Sequence, residues 1–163
     1  MVDVEDVKKV FDDPKASKAI ATLDEDGWPH VAPVGSLRMI DENTFAFAVV
    51  AMKNTKDNLL REGKASLLAF TPPPEIGGYK VKATFVKFES SGKLFDVFSK
   101  SLQKFGLKVQ EIGILKAESI EEIKLQNEKT SRYNKLGNEC RWQDSIQVEK
   151  TVENLWERGL RKG

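Results

Sequence analysis

The chain has 163 residues, with 26 Lys/Arg against 25 Asp/Glu and one histidine, for a formal net charge of +1. That balance removes the electrostatic case for a nucleic-acid partner or an acidic membrane surface, and the lone cysteine, Cys140, excludes both an internal disulfide framework and a cysteine-based zinc site. At 40% hydrophobic and 31% charged, the composition is that of a globular domain able to bury its own core. The acidic start and the lack of a long apolar run point to a cytoplasmic protein with neither signal peptide nor membrane span.

Val4, Val7, Val10 and Phe11 fall at helical spacing, so residues 4–12 are expected to form an amphipathic helix with Asp3 as N-cap and Pro14 closing the segment. Residues 19–23 and 28–40 read as two strands around a turn ending in Asp26-Gly27, a hairpin signal. Residues 44–50 read as a third, antiparallel strand of a meander. The third strand is an unbroken apolar run, as a strand buried on both faces should be. A helix is expected over 54–62, with Asn54 or Thr55 as cap and Gly63 ending it. Strands follow at 64–70, 79–89 and 111–124, separated by a Pro-rich loop and a second apolar-striped helix at 93–105. The segment 126–147 is polar and weakly periodic, and 148–158 reads as a short final helix. The expectation is a mainly β (α+β) fold: a six-stranded antiparallel barrel with peripheral helices, spanning 1–125, with 126–163 as an extension packed on the barrel or on a partner subunit.

The turn at Lys53-Asn54-Thr55 carries the first chemical signal. A helix start leaves backbone N–H groups unpaired and partially positive, and a lysine and a hydroxyl beside them can make a phosphate seat; a plain capped surface helix is the alternative reading. Arg38 can approach that turn if the second and third strands pair; an exposed strand arginine is the plain alternative. His30 cannot build a histidine metal site alone and no nucleophile elbow accompanies it. It reads as a structural or surface imidazole, with haem ligation the other use open to it. Asp24-Glu25-Asp26 reads as a solvated turn.

Taken together, Thr22 to Gly35, then Arg38, then Lys53-Asn54-Thr55-Lys56-Asp57-Asn58-Leu59, Ala65-Ser66-Leu67-Leu68 and Gly78 to Ala83 resemble the pyridoxamine 5′-phosphate oxidase-like FMN-binding split-barrel superfamily. The resemblance implies a six-stranded split barrel that forms a homodimer, with FMN in a groove to which both chains contribute. Arg38 would match a basic phosphate-binding residue, and Lys53, Asn54 and Thr55 the phosphate-binding turn. Val34, Gly35 and Ser36, with Val49 and Val50, would lie along the isoalloxazine ring. No catalytic residue is identified. The implied activity is that of a flavin-dependent oxidoreductase on a small molecule. The alternatives are a non-catalytic flavin-binding redox or sensor protein, or the same fold holding deazaflavin or haem. Members that oxidise vitamin B6 phosphates carry two basic residues where this chain has Asn54 and Thr55, and an arginine where Pro33 stands. Their C-terminal arginine and histidine motif is not recognisable in Trp156 to Arg161. These departures argue against vitamin B6 phosphate oxidation.

Overall fold

A computed structural model describes residues 2–74 and 76–123. The expectations for the extension from 126 onward, its helix at 148–158 and Cys140 lie outside the described residues. In chain order the elements are α1 (Val4–Asp12), β1 (Ser17–Leu23), β2 (Pro29–Pro33), β3 (Arg38–Met39), β4 (Thr44–Val49), α2 (Lys53–Glu62), β5 (Lys64–Thr71), β6 (Gly77–Glu89), α3 (Lys93–Gln103) and β7 (Glu111–Ile123). The strands form one antiparallel sheet in the order β2-β1-β5-β6-β7-β4-β3. Its ends are not hydrogen-bonded to each other, so the barrel is split.

The strand count is seven rather than six, because the expected strand over 28–40 breaks in two. Pro33 ends β2, and a turn closes over the next four residues, with the Leu37 N–H donating to the Val34 carbonyl at 3.1 Å. That turn sends the two halves to opposite edges of the sheet: β2 pairs with β1, while β3 pairs with β4. Only the Arg38–Met39 end of the expected second strand therefore pairs with the third, and the three expected strands do not form one continuous meander. On its other side β4 pairs with β7, from Thr44↔Lys116 to Val49↔Glu111. Long β6 and β7 bridge the two halves, and their ladder carries register shifts at Lys82/Ala83 and Phe85/Lys87.

Alternation along β4 divides two cores. Phe45, Phe47 and Val49 point into the main core with Val7, Phe11, Ile20 and Leu67. Ala46 and Ala48 point the other way, into a smaller cluster with Phe98 of α3, Val109 and Ile112. Opposite Phe47, β7 carries Gly113, where a Cβ would stand only 2.5 Å from the Phe47 ring. The missing side chain makes room for the aromatic.

α1 is capped as its sequence suggests, the Asp3 carboxylate accepting from the Glu5 N–H at 2.8 Å. Its C-terminal end holds an unusual pair. Lys18 is 6% exposed and its Nζ donates to the Phe11 carbonyl at 2.8 Å, while Arg38 Nη1 reaches the same oxygen at 3.3 Å. Burial, then the nearby Arg38 charge, push the Lys18 ammonium down to about 8 against the pull of Asp12 and Asp13. The unfolded chain holds that proton up to its ordinary 10.5. Between the two values the unfolded state binds more protons, so stability rises with pH across that window. Lys18→Met should remove this rise. Urea midpoints of both proteins at pH 7.5 and pH 10 check it; parallel pH responses would contradict the burial of a charged Lys18.

Candidate functional site

The loop between β2 and β3 is held at three points. The Val34 N–H donates to the Lys18 carbonyl at 2.9 Å. The Ser36 hydroxyl accepts from the Ala48 N–H at 3.0 Å, serving β4 where a two-residue β3 has no backbone to offer. Arg38 Nη1 donates to the carbonyls of Leu37 at 2.9 Å and Gly35 at 3.0 Å, and its Nε lies 3.8 Å from the Asp12 carboxylate. One guanidinium thus ties the loop to the end of α1.

Beside this loop lies a groove of about 620 Å³. It exists because the outward residues of β4 are small and Gly35 has no side chain. One wall comes from Val34, Gly35, Ser36, Arg38, Ala48 and Val50; Ala51 and Met52 continue it toward α2. A second wall comes from α3, through Val97, Phe98, Ser101, Leu102 and Phe105. Among the described residues that line it, only Arg38 is charged.

Five of the nine site residues expected from sequence meet here: Val34, Gly35, Ser36, Arg38 and Val50. Val49, 2% exposed, faces the main core, as the alternation of β4 requires. Lys53, Asn54 and Thr55 form the first turn of α2, next along the chain from Met52 but not lining the groove. The N-cap is Met52 rather than Asn54 or Thr55, and it makes no side-chain cap. The first turn has no acidic residue, so the first amides of α2 have no carboxylate of that turn beside them. Lys53 and Asn54 are exposed, and Lys53 pairs with Asp57 at 2.6 Å, which raises the Lys53 pKa. Thr55 is 1% exposed, and its hydroxyl is one of two buried side-chain oxygens or nitrogens without a hydrogen-bond partner among the described residues.

The sequence missed a polar lock on the second turn of α2. Asn58, 3% exposed, donates to the Thr22 hydroxyl at 3.0 Å and the Asp24 carboxylate at 2.7 Å, and accepts from Arg61 at 3.0 Å. Arg61 also donates to the Leu23 carbonyl. Asp24 is therefore more than a solvated turn residue. The available signal was position: Asn58 shares a helical face with Thr55 and Leu59, so it had to be buried. His30 sits across from Thr22 in the β1–β2 ladder, 3.8 Å from Asp24, and does not line the groove. The other missed feature is α3, expected as a peripheral helix and found as a groove wall.

Residues 5–128 match the family model described as pyridoxamine 5′-phosphate oxidase. The chain belongs to this family. The split sheet of this pyridoxamine 5′-phosphate oxidase family member has counterparts among solved structures. An FMN-binding protein from Syntrophomonas wolfei subsp. wolfei is 19% identical, with a TM-score of 0.68, covering 76% of this chain and 88% of its own. HupZ from Group A Streptococcus is 22% identical at a TM-score of 0.64, covering 76% and 94%. An F420 reductase is 11% identical at 0.56, covering 74% and 98%. At these identities the likeness is one of fold. No curated protein matches the chain. No helix among the described residues is long and apolar enough to cross a membrane.

Proposed function

We propose that the chain is a cytoplasmic flavoprotein that binds FMN in this groove and works as a homodimeric oxidoreductase on a small molecule. The observation that carries the reading is the meeting of Val34, Gly35, Ser36, Arg38 and Val50 in one groove that runs, through Met52, to an uncapped helix start. Arg38 supplies the charge for a phosphate dianion; the first amides of α2, with Lys53 and Asn54 beside them, supply donors. A phosphate there would also give the Thr55 hydroxyl the acceptor it lacks. The flat, small-residue wall of the loop and β4 suits a ring system lying along it.

When bound, FMN supplies the hydride or electron chemistry. The residues of this chain bind it and orient it, and the apolar walls keep water from the ring. A second copy of the chain is the proposed partner. A depression on the sheet face offers Ala19, Ala21, Val31 and Leu68 beside Lys80, Lys82 and Glu121, with Val31 65% exposed. Deazaflavin is the second reading of the cofactor, because one of the fold's counterparts is an F420 reductase. Haem is less well supported, since His30 is outside the groove.

Absorbance of the copurified or loaded protein separates the cofactors: two bands in the blue and near-ultraviolet for flavin, one near-ultraviolet band for deazaflavin, a Soret band for haem. Arg38→Ala should weaken FMN far more than riboflavin, by roughly tenfold or more, since a charge-assisted bond contributes about 1.5–3 kcal/mol. Fluorescence quenching of both ligands measures it, and equal losses would sink the phosphate assignment. The same holo sample should sediment at about twice the 18.3 kDa chain mass.

A further inference from the structure

Lys18 breaks the pattern of its own strand. Alternation along β1 buries Lys18, Ile20 and Thr22 on one face, and a lysine is rarely buried without a charged partner. Among the described residues its Nζ has one hydrogen-bond acceptor, the Phe11 carbonyl. α1 ends at Asp12, so that carbonyl is one of the last four the helix leaves unpaired, at the partly negative end of its dipole. Arg38 Nη1 reaches the same oxygen. Two cations therefore share one neutral acceptor, the ammonium buried and the guanidinium on the groove wall. Asp12 and Asp13 pull on Lys18 from the end of α1, and Arg38 opposes them from β3. β5 sets uncharged Ala69 opposite Lys18, and the loop after β2 sets uncharged Val34 against its backbone.

The geometry points to Lys18 as a proton-linked positioning residue of the phosphate seat: an anion held by Arg38 keeps the ammonium behind it charged, so phosphate binds together with a proton. The inference rests on the phosphate reading of Arg38 and deepens it. All the groups that carry it lie between Phe11 and Arg38. In the empty groove the balance of burial and neighbouring charge goes against the ammonium, which loses its proton at about 8. An arriving dianion adds opposite charge beside the pair and reverses that balance. The coupling is reciprocal: what phosphate does for the proton, the proton does for phosphate. Suppose the dianion holds that proton about tenfold more tightly, the low end for a neighbouring opposite charge. FMN affinity then falls about fivefold from pH 7 to pH 9, and about half a proton is taken up per FMN bound at pH 8.5. Riboflavin, which lacks the phosphate, should show neither effect.

Titration calorimetry of the full chain at pH 8.5, in two phosphate-free buffers of different ionisation enthalpy, counts the protons without any substitution. Fluorescence quenching at pH 7 and pH 9 gives the affinities for FMN and riboflavin. Lys18→Arg carries a charge that does not titrate in this range, and Lys18→Met carries none. In either variant the proton uptake should vanish, and FMN should keep one affinity relative to riboflavin at both pH values. The arginine protein should resemble wild type at pH 7, and the methionine protein should resemble wild type at pH 9. A purely structural lysine would change stability in these variants but would leave no proton count tied to the phosphate. Wild-type FMN affinity that tracks riboflavin across the pH range overturns the proposal. So does proton uptake that persists in whichever variants fold. If FMN and riboflavin bind equally at pH 7, or neither binds, the phosphate reading of the groove falls by itself. Sulfate, a dianion throughout this range, then decides the linkage through the urea midpoint of the flavin-free protein. Greater stabilisation by sulfate at pH 7 than at pH 9 sustains the linkage; equal stabilisation, or none, overturns it.

Discussion

Pyridoxine phosphate and pyridoxamine phosphate are expected to remain unoxidised by the FMN-loaded protein in air. A phosphorylated substrate needs a cationic clamp of its own, apart from whatever holds the cofactor phosphate, and bidentate arginine is the usual choice. Among the described residues that line the groove, Arg38 is the only charged one. It is also the residue proposed for the cofactor. Pro33 stands where vitamin B6 phosphate oxidases carry an arginine, and it lines the groove without any donor to offer. Arg158 and Arg161 lie outside the described residues. A substrate without an anchor loses the orientation that makes transfer fast, which is worth roughly 7–11 kcal/mol of barrier. Pyridoxal phosphate and peroxide formation should be followed together. Turnover on the order of 1 per second or faster would show that a clamp exists elsewhere in the chain, and would return the protein to the activity its family description names.

The second large effect concerns stability. Phe45→Ala should cost about 3–5 kcal/mol, the range for removing a fully buried aromatic. Phe45 is 0% exposed and meets the ring of Phe11 edge-to-face, with centroids 4.9 Å apart. It joins β4 to the end of α1. The backbone of Phe11 also holds Lys18 and Arg38, so the substitution should loosen the groove's charged corner as well as the core. Urea denaturation gives the stability change. A loss below about 1 kcal/mol would show that the site collapses freely and that α1 is not seated through this contact. In a double-mutant cycle with Phe11→Ala, two touching rings should lose less together than the sum of their single losses.

Much of this fold is legible locally. The bounds of α1, the end of α2 at Gly63 and the buried character of β4 follow from periodicity, capping chemistry and an unbroken apolar run. Gly63 indeed takes a positive φ of 64°. The break at Pro33 to Leu37 was only half legible: Pro29 and Pro33 cannot donate ladder bonds and so mark an edge or a bulge, but alternation continues through the residues that form the turn. What reveals it is tertiary: the Ser36 hydroxyl taking the place of a strand for Ala48. Strand order is likewise a long-range matter, since nothing within residues 44–49 says that β7 is their partner. Of the groove, the loop residues Val34, Gly35 and Ser36, with Arg38 and Val50, were readable through resemblance, while Val49 was expected there and Ala48 was not. The inward turn of Thr55 was not readable, since capping was assigned two or three positions too late. The α3 wall was missed because an apolar stripe looks the same whether a sheet or a ligand covers it.

The two margins of the sheet have a consequence for how the protein behaves at high concentration. At one margin stands β2, five residues long and bounded by Pro29 and Pro33, neither of which has an N–H to offer a newcomer. At the other stands β3, only two residues long. Short or proline-bearing margins give a foreign strand little to zip onto, so growth by strand addition, the first step toward fibrils, is blocked at both sides. On the described residues, copies of this chain would have to meet through side chains, on faces that can be matched or mismatched by sequence, rather than through a backbone that any extended peptide could recognise.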